Sequence, residues 1–153
     1  MSTMTLRQIR EELEVVTDAC RRLENLAAQS EGHSTDVAII LRPLNEQFRK
    51  LLDAIQPYID AQMEKVRQGK IFGPSTKWKS VHSIHRYLEI GIEALEGIQT
   101  TAAEADVKAK PVSFPMVTAI LHLEGALFDL DELIEIESKR KGGGLVGPLG
   151  VVS

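Results

Sequence analysis

The stretch from Ser113 to Lys141 constrains the fold most, because it is the most apolar long segment of the chain. Its apolar side chains recur at alternating spacings of three and four residues, which places them on one face of an α-helix. Ser113 can cap this helix, and Pro115 fits its first turn. The pattern predicts one long helix over residues 113–141, with a buried row formed by Met116, Ile120, Leu123, Leu127, Leu130 and Ile134.

A second row of apolar side chains lies beside the first on this predicted helix, and it consists of Val117, Leu121 and Phe128. Together the two rows make an apolar face wider than one neighbouring helix covers. Such a helix is either surrounded inside its own bundle or faces a second chain. The second row is therefore a candidate surface for interaction with another protein.

Three more helices are predicted upstream, over Thr5–Gln29, Asp36–Gln68 and Ser75–Thr101. Each carries apolar residues at helical spacing. The second contains Pro43 and Pro57, which remove hydrogen bonds and bend a helix. We favour one bent helix over the alternative, in which the helix is broken and a second helix begins at Pro43. Short turns between long helices make antiparallel neighbours, so the predicted fold is an all-α, up-down-up-down four-helix bundle.

The same topology predicts which residues lie level with each other. If the third and fourth helices form a hairpin about residue 108, Gly91 faces Gly125, and Asp131 lies level with His85. Two glycines at one level predict a close crossing of the two backbones. In the turn before the second helix, Ser34 or Thr35 can act as its N-cap.

The chain has 153 residues, a net charge of −4 and a single cysteine. This length fits one domain with a sizeable core. Cys20 lies on the apolar seam of the first helix, so we expect a small buried hydrophobe and no disulfide. The charged, amphipathic N-terminal stretch does not resemble a secretory signal, which predicts a cytoplasmic protein, or a particle assembled in a cytoplasm. No run approaches the ~18 apolar residues of a membrane span, so no membrane partner is expected.

The last twelve residues, 142–153, differ in composition from the helical bundle predicted over 1–141. Three glycines open this tail, and proline interrupts it, so it is predicted to be extended rather than helical. It is also uncharged, whereas flexible tails are normally polar. Two interpretations stay open, a flexible end or a docking peptide that pairs with a neighbour. Its candidate contact residues are Leu145, Val146, Leu149, Val151 and Val152.

Positive charge is predicted to collect at one end of the bundle, where the second turn meets the end of the fourth helix. Cations at helix C-termini favour the helix dipole and need no ligand. Those at the start of the third helix have no such explanation, so an anionic partner is an alternative function. The overall negative charge counts against a dedicated nucleic-acid binder. The candidate residues are Lys70, Lys77, Trp78, Lys79, Lys139, Arg140 and Lys141.

One face of the third helix carries His82, His85 and Glu89, and these side chain types can bind a metal. Metal sites in helical bundles usually draw ligands from several helices, often through Glu-x-x-His pairs, which this sequence lacks. A structural role for these histidines is favoured. Binding of a metal or a small ligand at this face remains an alternative function.

No motif for enzymatic chemistry occurs in the sequence, since it has no Ser-His-Asp spacing, phosphate loop or dinucleotide fingerprint. We therefore expect no catalytic residues and no cofactor. The favoured prediction is a non-enzymatic structural, assembly or interaction subunit, for example within a larger particle such as a phage virion. It would self-associate or dock on a protein partner through the helix over 113–141 and the C-terminal tail.

Overall fold

The computed structural model describes residues 4–29, 31–69 and 76–146, without the side chains at 66, 76–80 and 140–146. This part of the chain is all-helical and folds as a helical bundle. Its four helices are α1 (Leu6–Gln29), α2 (Ser34–Arg67), α3 (Thr76–Ala105) and α4 (Lys110–Val146). α4 packs mainly against α3 and α1, and α2 packs mainly against the same two helices.

The helix α1 begins with a capping box built by Thr5 and Gln8. The Thr5 hydroxyl accepts a hydrogen bond from the Gln8 backbone N–H at 3.1 Å, and the Gln8 side chain accepts one from the Thr5 N–H at 2.8 Å. From there the apolar seam that holds Cys20 is buried at Ile9, Leu13, Val16, Cys20, Leu23 and Ala27. Complete burial of one such aliphatic side chain contributes roughly 1.5–3 kcal/mol, so this seam stabilises the bundle.

The helix α2 is continuous and contains both Pro43 and Pro57, which excludes the break considered at Pro43. Both prolines are exposed. Solvent can therefore satisfy the carbonyl groups that lose their hydrogen bond to a proline nitrogen. Past the end of the helix, Gly69 has a positive φ of 74°, the conformation in which glycine commonly terminates a helix.

The helix α4 is longer at both ends than predicted. It begins at Lys110, so that Pro111 occupies its first turn, where the missing N–H costs nothing. Ser113 does not cap it, because its hydroxyl donates to the Lys110 carbonyl within the helix at 3.0 Å. At the other end the helical backbone continues through the three glycines to Val146, five residues beyond Lys141. Glycine costs ~1 kcal/mol against alanine in a helix but does not end one by itself.

The core fills the space between the four helices and consists almost entirely of aliphatic side chains. Phe48 is a large aromatic member of this core and is completely buried. The predicted row on α4 is buried at Met116, Ile120, Leu123, Leu127 and Leu130, while Ile134 is half-buried. Cys20 also lies in this core, as predicted, and burial raises the pKa of its thiol to about 12.

The predicted pairing of Gly91 with Gly125 is not what brings α3 and α4 together. A Cβ atom added to Gly91 would meet Leu123 and the carbonyl oxygen of Ala119, whereas one added to Gly125 would meet the ring of Tyr87. The close approach at Gly91 exists, but its partner lies about one turn from the predicted one. Which residues of α3 and α4 meet depends on the shape of the turn between them. The prediction assumed that this turn is symmetric about residue 108.

The two turns at one end of the bundle are joined to each other. Ser34 donates its backbone N–H to the Val107 carbonyl at 2.6 Å, and its hydroxyl accepts from the Val107 N–H at 3.1 Å. The same hydroxyl donates to the Ala102 carbonyl at 2.9 Å, one of the last four carbonyls of α3, which have no partner within the helix. Ser34 was predicted to cap α2. Its side chain is completely buried and instead bonds the end of α3 and the opposite turn.

Candidate functional site

The outer face of α4 exposes a row of large apolar side chains. Leu121 and Phe128 are 60% and 69% exposed, and Val117 is exposed as well. Phe114, which the sequence reasoning missed, continues the row and is 71% exposed. Its signal was present, because Phe114 lies seven residues before Leu121, as Phe128 lies seven after it. We call these four residues the outer stripe.

One position within the outer stripe carries no side chain of its own. Gly125 lies between Leu121 and Phe128, and the ring of Tyr87 from α3 covers it at 3.4 Å from an ideal Cβ position. Tyr87 is itself exposed, and its ring centroid lies 6.2 Å from that of His122. The stripe therefore has an aromatic border on the α3 side.

Two ion pairs mark the border of the outer stripe on the α1 side. Arg21 donates to Glu124 and Arg10 donates to Asp131, each at 2.8 Å. The hydrogen bond to Asp131 is the main reason why the pKa of Arg10 is raised. Asp131 was predicted to lie level with His85, and the partner that its carboxylate has in the structure is the guanidinium of Arg10 from α1. These contacts fix α4 against α1 and leave the stripe facing outward.

The C-terminal part of the predicted interaction surface lies largely beyond the described residues. The backbone of Leu145 and Val146 is part of α4, but the structure does not describe their side chains. Leu149, Val151 and Val152 fall in residues 147–153, which are also outside it. Within the described residues, the predicted interaction surface is therefore represented by the outer stripe alone.

The predicted anion-binding end has one described side chain, Lys139, which pairs with Glu135 one turn before it at 3.0 Å. Lys70 lies outside the described residues. The remaining candidates have a described helical backbone only, in α3 for Lys77, Trp78 and Lys79 and in α4 for Arg140 and Lys141. Lys139 has a local helical partner, so its charge alone does not point to an anionic ligand.

The predicted metal ligands lie on α3, where His82 is exposed and His85 and Glu89 are half-buried. Among the residues that the structure describes, no group of three His, Cys, Asp or Glu side chains is close enough to hold a metal ion. His122 makes a local contact instead, from Nδ1 to the Thr118 carbonyl at 3.0 Å. The three predicted ligands therefore share one helix, and the described side chains do not form a metal-binding group with them.

Grooves open on the surface of the described part of the bundle, and two of them are considered for ligand binding. One, of about 540 Å³, lies near the start of α1 and includes the nearly buried Gln62, whose side-chain oxygen has no hydrogen-bond partner in the described chain. The other, of about 450 Å³, lies between the end of α3 and the start of α4 and is lined mainly by small and apolar residues such as Gly97 and Pro111. A single buried acceptor and an apolar lining do not define a ligand class.

Within the described chain, one segment, Lys110–Lys139, is long and apolar enough to cross a membrane by length and composition. This differs from the expectation that no segment qualifies, because that expectation counted uninterrupted apolar residues, whereas this helix qualifies by its average composition. The buried core row and the exposed outer stripe both contribute to that average. A core helix of a bundle passes the same test, so these properties alone do not assign a membrane.

No known protein family, curated protein or solved structure matches this chain.

Proposed function

We propose that the protein is a non-enzymatic assembly subunit that binds another protein chain through the outer stripe of α4. The observation that carries this proposal is the exposure of Phe114, Val117, Leu121 and Phe128 on one face of one helix. Single exposed apolar residues are ordinary, but a contiguous row of large ones is typical of an interaction surface. Removal of a large apolar side chain from water contributes roughly 1.5–3 kcal/mol, so the stripe can drive association.

The stripe is suited to a helical partner. Phe114, Leu121 and Phe128 are spaced by seven residues, the repeat with which helices pack along a seam. Val117 lies beside the row formed by these three residues and makes the apolar surface wider. A partner helix lying along α4 would cover the whole row, whereas a small molecule would cover only part of it.

The proposal takes the four helices as an antiparallel up-down-up-down bundle. Contacts between α1 and α4 support this direction, since Arg10 pairs with Asp131 while the later Arg21 pairs with the earlier Glu124. Antiparallel neighbours on both sides hold α4 along its length. A stiff helix of this kind presents its outer stripe without prior ordering, which lowers the entropic cost of binding.

The proposal also includes a bend in α2. Pro43 and Pro57 lie fourteen residues apart on a solvent-exposed side of α2. Bends at these positions would curve α2 around the core. α2 does not pack extensively on α4, so the proposed bend leaves the outer stripe unaffected.

We place this subunit in a cytoplasm, or in a particle assembled there, in keeping with its single buried cysteine. The C-terminal tail would add contacts to those of the outer stripe. Neither a metal nor a nucleic acid is needed for this role.

The experiment compares the wild-type chain with a Leu121→Glu/Phe128→Glu variant by sedimentation velocity over a wide range of concentrations. The control is Ile39→Glu, because Ile39 is as exposed as Phe128, at 69%, but lies on α2. We expect the wild-type protein and the control to associate and the double variant to remain monomeric with an unchanged helical circular dichroism spectrum.

Two outcomes would contradict the proposal. The first is equal association of the wild-type chain and the double variant. The second is a wild-type chain that stays monomeric but co-sediments with lipid vesicles, and loses this property in the double variant. That result would assign the outer stripe to a membrane surface.

A further inference from the structure

The outer stripe is symmetric about its central residue, Leu121. Phe114 and Phe128 lie seven residues before and after it. Val117 and Gly125 lie four residues before and after it. A two-fold symmetric contact uses the same patch on both copies, so a residue before the axis meets the residue equally far after it on the other copy.

Antiparallel pairing of two such stripes determines which residues of the two copies lie level with each other. With Leu121 against Leu121 at the centre, Phe114 of each copy lies level with Phe128 of the other. Val117 of each copy lies level with Gly125, where the Tyr87 ring covers the place of the missing side chain. Val117 thus meets that ring on both sides of the centre, and the ends carry aromatic pairs.

Charged residues continue this symmetry beyond the apolar row. Lys110 and Glu132 lie eleven residues before and after Leu121, and both are exposed. In the antiparallel arrangement Lys110 of one copy lies level with Glu132 of the other, so opposite charges meet at both ends. A parallel arrangement would instead place two lysines together and two glutamates together, which disfavours it.

We infer that the occupant of the outer stripe is a second copy of this chain, bound antiparallel along α4 with a two-fold axis passing at Leu121. This inference rests on the proposed function and adds the identity, direction and register of the partner. The apolar part of the contact covers about 21 Å of helix, at 1.5 Å per residue. A contact of this size is small for a stable dimer, so the dissociation constant is expected in the micromolar range.

Disulfide cross-linking tests direction and register in the full chain. The variants Phe114→Cys and Phe128→Cys are oxidised separately and then as a mixture. In the antiparallel dimer the two copies of residue 114 are separated by about 21 Å along the axis, too far for a disulfide. Residues 114 and 128 of different copies lie side by side. The native Cys20 is buried and takes no part.

We expect each single variant to remain uncross-linked and the mixture to form a covalent dimer with one residue of each kind. Self-cross-linking of either variant, or an uncross-linked mixture, would overturn the antiparallel register. If the Leu121→Glu/Phe128→Glu variant is monomeric at the same time, the proposed function stands and only the register fails. If that variant associates normally, the outer stripe itself is excluded.

A charge exchange gives an independent test, because both partners of each end contact belong to the same sequence. Lys110→Glu or Glu132→Lys alone replaces two attractions with two repulsions and is expected to weaken dimerisation about tenfold. The double exchange Lys110→Glu/Glu132→Lys restores opposite charges and is expected to return the dissociation constant to within about threefold of wild type. Additive weakening in the double exchange would overturn the inference.

Discussion

Gly91 of α3 lies directly against Leu123 of α4, so that a Cβ atom on Gly91 would stand 2.9 Å from Leu123 Cδ2. The same atom would lie 3.2 Å from the carbonyl oxygen of Ala119. Leu123 is completely buried and Ala119 presents its backbone, so neither neighbour can readily move away. Glycine at this position lets α3 and α4 approach closely, and thereby helps to determine how α4 lies on the bundle.

Replacement of Gly91 by alanine should lower the free energy of unfolding by about 1 kcal/mol, because the cost of overpacking exceeds the gain in helix propensity. Gly97→Ala is the matched control, since a Cβ atom there meets nothing within 4 Å. The control should be stabilised by up to ~1 kcal/mol through helix propensity alone. Urea unfolding followed by circular dichroism measures both, and equal stabilisation of the two variants would exclude the close contact.

The ion pair between Arg49 and Glu96 should make part of the stability depend on pH. Two hydrogen bonds of 2.8 and 2.6 Å from Arg49 to Glu96 lower the pKa of that carboxyl group. A lowered folded-state pKa stabilises the protein above the ordinary pKa of glutamate, and this contribution is lost as the pH falls through the lowered value.

Glu96→Gln should therefore reduce the free energy of unfolding at neutral pH by less than about 1 kcal/mol, because both side chains are more than one-third exposed and solvent screens them. The difference from wild type should disappear in acid, below the lowered pKa. Urea unfolding of the wild type and the variant at neutral pH and in acid measures this difference. Glu104→Gln, at an exposed position, is the control. A difference that persists in acid would point to lost packing instead of lost charge.

The buried hydroxyl of Ser34 should matter more than its size suggests. Ser34→Ala removes the partner of the Ala102 carbonyl and of the Val107 N–H. A buried backbone group left without a partner costs ~1–3 kcal/mol, and the Val107 N–H is only partly buried, so we expect a loss of about 2 kcal/mol in the free energy of unfolding. Ser113→Ala, whose hydroxyl bonds only within the first turn of α4, should change stability by less than ~0.5 kcal/mol. Equal effects of the two substitutions would contradict this role of Ser34.

Cys20 should be unreactive in the folded protein. Burial raises its pKa to about 12, so almost no thiolate exists at pH 8, and the sulfur lies within the core. A thiol reagent such as dithionitrobenzoate should react with one equivalent only after unfolding in guanidinium. Rapid reaction of the native protein with one equivalent would show that α1 opens far more readily than its buried seam implies.

The sequence predicts the helices and their buried faces well because both follow from local periodicity. The seam through Leu13 and Leu23 of α1 is one example, and the exposed position of Leu121 follows from the same counting on α4. Phe114 lay inside the predicted helix, at its second residue, but was not counted with the outer row. The helix begins at Lys110, so a full turn precedes Phe114, whose side chain is 71% exposed.

Relationships between helices were harder to predict, because they depend on the turns. The pairing of Gly91 with Gly125 assumed a symmetric turn about residue 108. In the structure Asp106 adopts a positive φ of 46° after α3, and the turn is held by contacts to the opposite turn. No local pattern in the sequence encodes such a tertiary contact, so neither the register nor the role of Ser34 could be derived from it.

The joined turns have a practical consequence for anyone who wishes to modify the chain. His33 and Lys108 form a short antiparallel bridge, and Ala109 donates its N–H to the Gly32 carbonyl at 2.7 Å. An inserted tag, a fused domain or a new terminus in residues 106–109 would therefore disrupt the contacts that join the two turns. Although this segment is short and exposed in large part, it is a poor site for fusion or circular permutation.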